Sequence, residues 1–334
     1  MSKISIALCT YNGAKFLEEQ LASFSRQTRL PDELIVCDDR SSDATVEIIE
    51  EFARAARFPV TIHVNETNLG STKNFERAIS LCTGDLIFLA DHDDVWRDDK
   101  VERLAQIFEE NSDVGLVFSN AEIIDDEGRL LDGTLWDVTF SEEERRTAHT
   151  KSMLDVLLWK NVVTGATAAF RSGIRELSLP ILSGIPHLIH DGWIALIAAA
   201  GSRVHFVNEP LIRYRQHAGQ QLGLGPSPDK LVHKGSAAYA RSIAMLEREV
   251  ERLGIMQRLT NEHPVLSRSR PVEPIDSIIA RKADPLDHYR MRKNLPRSRV
   301  ARAPRVLREL VSGRYGRHSR GVLSAIKDLF GSKT

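Results

Sequence analysis

Short apolar strands that alternate with amphipathic helices predict an α/β fold with a mostly parallel central sheet flanked by helices. The runs LIVC and LIFLA are continuous rather than alternating, as in strands covered on both faces, and in ISIAL Ile4, Ile6 and Leu8 with Ala7 make a short buried strand. Each is followed by a segment whose apolar residues recur at helical spacing. Two of these strands end abruptly in acid, at Asp38-Asp39 and at Asp91-His92-Asp93-Asp94. In open α/β sheets that is the edge where ligands bind.

In chain order, the first strand stops at the polar turn Cys9-Thr10-Tyr11-Asn12-Gly13. Phe16, Leu17, Leu21 and Phe24 then mark a helix over residues 14–26. Pro31 and Asp32 break it before the second strand, and Ser42 or Asp43 can cap a helix running to residue 56. Val60, Ile62 and Val64 alternate as a third strand, residues 65–70 read as a loop and 73–82 as a third helix. No Gly-x-Gly-x-x-Gly turn is present to cradle a phosphate, so a metal on the acidic cluster is the natural substitute.

The fourth strand, residues 86–89, delivers that cluster. Three carboxylates in four residues repel one another unless a cation neutralises them, and hard oxygen ligands suit Mg²⁺ or Mn²⁺. The plainer alternative is a solvated turn in which Asp94 or Asp98 caps the helix over 100–111. A cap, however, needs one Asp and no buried strand to present it.

Residues 114–118 read as a strand, and Ile123-Ile124 leads into an acidic turn at Asp125-Asp126-Glu127-Gly128. Residues 136–148 are charged and read as an inserted loop. Residues 161–171 form a strand region in which Gly165 permits either a close backbone approach or a simple bend. Asp191, in Ile189-His190-Asp191-Gly192-Trp193, is placed to cap an apolar helix ending near residue 200. Residues 204–207 read as a last strand, Pro210 ends the connection, and Tyr214-Arg215-Gln216-His217 follows, with 220–225 a mobile lid.

The composition, 42 % hydrophobic and 27 % charged, excludes disordered, collagenous and disulfide-rich classes. Cys9, Cys37 and Cys82 are odd in number and have no metal-like spacing, which predicts reduced thiols in a cytoplasmic protein. The apolar start is too short for a leader and no run reaches the length that crosses a bilayer, so no membrane span is expected.

Four stretches together, ISIALCTYNGAKFLEEQLASFSRQT, ELIVCDDRSSDAT, NLGSTKNFERAI and GDLIFLADHDDVW, resemble the family 2 glycosyltransferases of GT-A fold in order and spacing. The DHDDVW segment is most similar to the branch of bacterial rhamnosyltransferases and related cell-surface polysaccharide enzymes. The resemblance implies that the Cys9 backbone and the Tyr11 ring hold a nucleobase whose imide is read by Asp39, that Lys73 faces the donor, and that Gly165 packs against the donor sugar. It also implies a DXD motif in which Asp91 faces the ribose or a metal-bound water and Asp93 ligates the cation, with Asp191 as catalytic base and His217 near the metal or diphosphate. Read from the residues alone, Tyr11 is a strand-end core aromatic, Lys73 a surface lysine and His217 a structural histidine.

The tail has its own character. From 281 to 334 there are 15 Lys and Arg against 4 Asp and Glu, a net of +11 in a chain whose total is −1. Val322, Leu323, Ile326, Leu329 and Phe330 share one helical face. A basic amphipathic end suits an anionic membrane surface, and equally a helical subdomain docking on the catalytic domain or on a second copy; nucleic acid is not expected. The expected organisation is a GT-A catalytic domain over 1–225 and a basic helical extension over 226–334. The expected function is inverting, metal-dependent transfer from a dTDP-rhamnose or UDP-sugar donor to a saccharide or lipid-linked acceptor. The rivals are a non-catalytic nucleotide-sugar scaffold and a metal-dependent phosphohydrolase.

Overall fold

The computed structural model describes residues 1–150, 152–182, 188–217, 220, most of 243–258 and 275–331. The chain forms two compact units, Met1–Ser227 and Pro228–Thr334. The lid expected beyond Gln220 and the boundary expected after residue 225 lie outside the described residues.

In the first unit β1 (Ile4–Thr10) is buried along its whole length and lies between β2 (Glu33–Asp38) and β4 (Leu86–Ala90), parallel to both. β3 (Val60–Val64) extends this parallel half beyond β2. The helices α1 (Ala14–Ser25), α2 (Thr45–Ala55) and α3 (Ser71–Leu81) fill the connections, and Leu17, Leu21, Phe24 and Ile49 join Ile6, Leu8, Leu34 and Val36 in one core. Continuous apolar strands require cover on both faces, and these helices supply it.

Beyond β4 the sheet is mixed. β8 (Ala168–Arg171) is antiparallel to β4 on one side and to β6 (Val114–Ile124) on the other. β9 (Arg203–Arg215) runs parallel to β6, β5 (Val95–Trp96) is antiparallel to β9, and β7 (Leu130–Thr134) pairs with β6. Two antiparallel steps restore the original direction, so β6 and β9 point the same way as β4. The C-terminal ends of β1, β2, β4 and β9 and the start of β8 therefore share one edge.

Two expectations change. The strand over 204–207 continues through Pro210, because the β6–β9 register slips around Asn120, where Ser119 faces Val207, Asn120 faces Pro210 and Ala121 faces Ile212. An irregularity frees a ladder position and so accommodates a residue without an N–H. The expected loop over 136–148 is helical instead, as α5 (Trp136–Thr139) and α6 (Glu142–Thr150). α6 buries none of its side chains, so it carries no apolar periodicity to read. Glu142, Glu143 and Glu144 in its first turn are its legible signal, since acid favours a helix start. Trp136 anchors the insertion by packing with Phe118, Phe140 and Phe206.

The unit is completed by α4 (Lys100–Glu110), α7 (Met153–Trp159), α8 (Ser172–Ser178) and the apolar α9 (His190–Gly201). In the second unit α10 (Ile275–Lys293), α11 (Arg299–Val311), α12 (Arg314–His318) and α13 (Val322–Phe330) surround a small core of Leu295, Val306, Tyr315 and Ala325. Among the described residues no helix is long and apolar enough to cross a membrane.

Candidate active site

The acidic loop leaves the buried end of β4, and Arg215 clamps it there. Arg215, at the end of β9, is 1 % exposed; its Nε donates to the Asp93 carbonyl (2.8 Å) and its backbone N–H to Asp94 Oδ1 (3.1 Å). The same guanidinium donates to the Asp125 carbonyl (3.1 Å) and to the Glu19 carboxylate, and lies 4.7 Å over the Phe16 ring. Arg suits this role because its planar donors are fixed in a fork and keep their charge when buried. The turn at Asp125, which the sequence leaves as a plain turn, thereby becomes part of the support.

The capping alternative for the acidic loop fails. α4 follows Asp99 as its N-cap residue with no side-chain cap bond, while Asp98 pairs with Arg26 and Asp94 turns inward. Asp94 is fully buried and its Oδ2 has no hydrogen-bond partner among the described residues. Lys100, also fully buried, donates to the Ala166 carbonyl (2.6 Å) and sits 3.5 Å over the Trp96 ring. Burial pushes its pKa well down while Asp94 and Asp91 pull it back, so it is the inward-facing counter-charge of the cluster.

Lys100 does not balance the carboxylates. Asp91 is pushed up to about 8, first by burial and then by Asp93 and Asp191, with Lys100 opposing. Asp94 is raised by burial, then by Asp93 and Asp91. Tyr214 is raised by burial and then by all four carboxylates, Asp94, Asp91, Asp93 and Asp191, so they occupy one neighbourhood. The Cys9 thiol is raised by burial, Cys37, Asp91 and Asp39, which brings the end of β2 into the same neighbourhood.

Asp191 lies in the first turn of α9, but Ile189 is the N-cap residue and the carboxylate faces elsewhere. Its Oδ1 accepts from Asn161 Nδ2 (3.0 Å) and from the next backbone N–H, and its Oδ2 accepts from the Gly165 N–H (3.0 Å). Burial nevertheless pushes it up to about 6 against these lowering bonds. Gly165 is a close approach: a Cβ there would stand 3.1 Å from His190 Nε2 and 3.4 Å from Asp191 Cβ. Gly13 is tighter still, because a Cβ would stand 2.3 Å from the His92 ring, which seats the acidic loop on the β1 turn.

His217 Nε2 lies 2.9 Å from Asp93 Oδ2, with its ring 4.8 Å from that of Phe16. Tyr11 is half exposed, which excludes the core-aromatic alternative. Asp38 is a turn residue that accepts from Thr10, from the Ser41 hydroxyl and from the Ser41 N–H. Asp39 accepts three bonds, from Asn65 Nδ2, the Leu69 N–H and the Gly70 N–H, and leaves one of the four lone-pair directions of a carboxylate. Lys73 is held by Glu76 (2.7 Å) and the Ile181 carbonyl (3.3 Å), the surface role its helix allows.

Among the described residues no three His, Cys, Asp or Glu side chains form a ready-made cation cage. The Asp93–His217 pair fits a different kind of site, in which the protein supplies one or two ligands and substrate phosphates and water the rest. The unpartnered Asp94 oxygen and the raised Asp91 show the deficit of positive charge that such a cation would relieve. Sequence reasoning missed Arg215, Asn161 and Lys100. Arg215 and Asn161 lie inside the motifs quoted for their neighbours His217 and Gly165, whereas nothing local marks Lys100.

Residues 5–177, just over half of the chain, match the family described as glycosyl transferase family 2. An uncharacterized glycosyltransferase of Nostoc sp. is 28 % identical over 220 residues, covering 64 % of this chain and 65 % of that protein. The abequosyltransferase RfbV of Salmonella typhimurium is 32 % identical over 115 residues, 34 % of each chain. The chain spans 59 % of the length of relatives in Mycobacterium tuberculosis that it matches at 27 % identity over 221 residues, which cover 64 % of this chain. The crystal structure of S. aureus TarS 1-349 in complex with UDP-GlcNAc superposes with a TM-score of 0.52 at 16 % identity, over 97 % of this chain and 90 % of that one, a likeness of fold. The match spans β1 to α8 and so takes in the acidic loop, Asn161 and Gly165; the chain belongs to glycosyl transferase family 2.

Proposed function

We propose that the protein is an inverting glycosyltransferase that moves a sugar from a nucleoside-diphosphate donor to a hydroxyl of a saccharide or lipid-linked acceptor. The observation that carries this reading is the Asp191 seat: a buried carboxylate, held by Asn161 and the Gly165 N–H, in the same electrostatic neighbourhood as Asp91 and Asp93. A group raised to about 6 is mostly ionised at neutral pH yet basic enough to accept a proton from an attacking hydroxyl.

Asn161 and Gly165 fix the direction of the carboxylate, so proximity to the acceptor supplies much of the effect. Attack on the face opposite the diphosphate in one displacement inverts the anomeric centre. Asp39 and Tyr11 hold the base of the donor, with the remaining Asp39 lone pair free to accept from an imide. Lys73 would have to leave Glu76 to meet the donor. A divalent cation of the Mg²⁺ or Mn²⁺ class, held by Asp93 and His217 with Asp91 behind them, would supply positive charge against the departing diphosphate.

A thermal-shift panel of dTDP-rhamnose, UDP-sugars and GDP-sugars with and without Mn²⁺, followed by nucleoside-diphosphate release on acceptor addition, tests this. One donor class is expected to raise Tm only with metal, and Asp93→Ala to remove that metal-dependent part. The reading fails if Asp93→Ala keeps the full metal-dependent shift, or if simple phosphate esters are hydrolysed faster than any sugar is transferred.

A further inference from the structure

The C-terminal unit presents two apolar helical stripes to solvent, each bordered by cations. On α11, Val300, Leu307 and Val311 are 83 %, 62 % and 82 % exposed. Their seven- and four-residue spacing puts them on one face, roughly opposite the buried Arg302, Val306 and Glu309 that face the unit's core. On α13, Val322, Leu323, Ile326 and Phe330 are all at least half exposed, while Ala325 alone is buried. Isolated exposed apolar residues need no explanation, but two packed helices that each turn a whole stripe outward do.

The charge of this stretch is strongly positive. Between 281 and 334 three of the four acidic residues are paired within the unit, Asp328 by Arg292 and the Tyr315 hydroxyl, Asp284 by Arg314 and His318, and Glu309 by His288 and Arg314, while the exposed Asp287 lies 4.0 Å from Arg314. Among the described residues Arg299 and Arg308 on α11, Arg320, and Lys327 on α13 form no ion pair, and all four are exposed. The excess of cations over this stretch is thus displayed outward.

We infer that this face of α11 and α13 docks the protein on an anionic lipid bilayer, with Leu307, Val311, Leu323, Ile326 and Phe330 entering the headgroup boundary and the unpaired Arg and Lys meeting lipid phosphates. A second copy offering the same face would bring like charges together, which costs several kcal/mol. A bilayer of opposite sign instead takes both the apolar stripe and the cations. The docking is independent of the transfer reaction proposed above, so either can fail alone.

Co-sedimentation of the full chain with phosphatidylcholine vesicles, with and without phosphatidylglycerol, tests it. The anionic vesicles are expected to bind at least about tenfold more tightly, with the difference collapsing at high salt. Arg299→Gln with Arg308→Gln, and separately Leu307→Ser with Leu323→Ser, should each weaken binding by about tenfold or more while circular dichroism stays unchanged, as these side chains lie outside the core. Equal recovery with neutral and anionic vesicles, no recovery with either, or a solution dimer abolished by Leu307→Ser with Leu323→Ser would overturn the inference.

Discussion

Two clusters of charged groups, one in each unit of this chain, are treated in opposite ways. At the shared edge of the sheet Asp91, Asp93, Asp94 and Asp191 crowd together, with Lys100 opposing Asp91 and Asp94; Asp91 is raised to about 8, and an Asp94 oxygen has no hydrogen-bond partner among the described residues. In the C-terminal unit Asp284 sits against His318 and Arg314 and is lowered to about 2, while His288 bridges Glu309 and Ser319 at 2.8 Å on either side. A satisfied network holds helices together. An unsatisfied one stores repulsion that a ligand of opposite charge releases, which is why perturbed carboxylates of the first kind mark sites of chemistry.

The largest effect that tests this contrast is catalytic. Asp191→Asn keeps the shape of the seat and is expected to lower kcat by about 10²–10⁴-fold with donor KM little changed. On the proposed reading, kcat/KM of the parent protein should rise with pH through about 6, as the carboxylate loses its proton. Steady-state assays of both proteins read this out, and unchanged kcat in the variant would remove Asp191 from the chemistry.

Next in size is the cost of breaking the satisfied network. Arg292→Met strips Asp328 of its bidentate partner and leaves a part-buried carboxylate, at a cost of about 3–5 kcal/mol to the C-terminal unit. Urea unfolding followed by far-UV circular dichroism measures it. A loss below about 1 kcal/mol would place the pair with ordinary surface ion pairs.

The smallest effect is also the most discriminating, because the two units should respond to pH with opposite signs. Carboxylates raised above their unfolded values bind protons more tightly when folded, so the metal-free first unit should lose stability as pH rises from about 4 through 6 and 8. Asp284 is lowered, so its contribution is present above about 4 and is lost as pH falls toward 2. All four tryptophans, at positions 96, 136, 159 and 193, lie in the first unit, so their fluorescence reports it alone. Added Mn²⁺ should restore the Trp-monitored Tm at pH near 8. A Trp-monitored Tm that climbs from pH 5 to 8 without metal would contradict the frustrated-cluster account.

Much of the parallel half was legible because its signals are local. A continuous apolar run followed by helical spacing needs no partner to be read, and β1, β2 and β4 end within two residues of where LIVC and its companions predict. The antiparallel half was harder. β9 runs through Pro210 because its register slips beside β6, and no residue of β9 announces that slip. α6 was hidden because it buries nothing.

By itself, the sequence determined the alternation of strands and helices, the acid at the strand ends and the excess of cations in the tail, all properties of neighbouring residues. Only the tertiary structure decided that Arg215, from the end of β9, would clamp a loop more than a hundred residues earlier, that Asn161 and Gly165 would seat Asp191, and that Asp284, Glu309 and Asp328 would pair within the C-terminal unit. The reason is physical: a buried charge takes its meaning from whatever lies across the fold from it, and only the folded chain sets that distance.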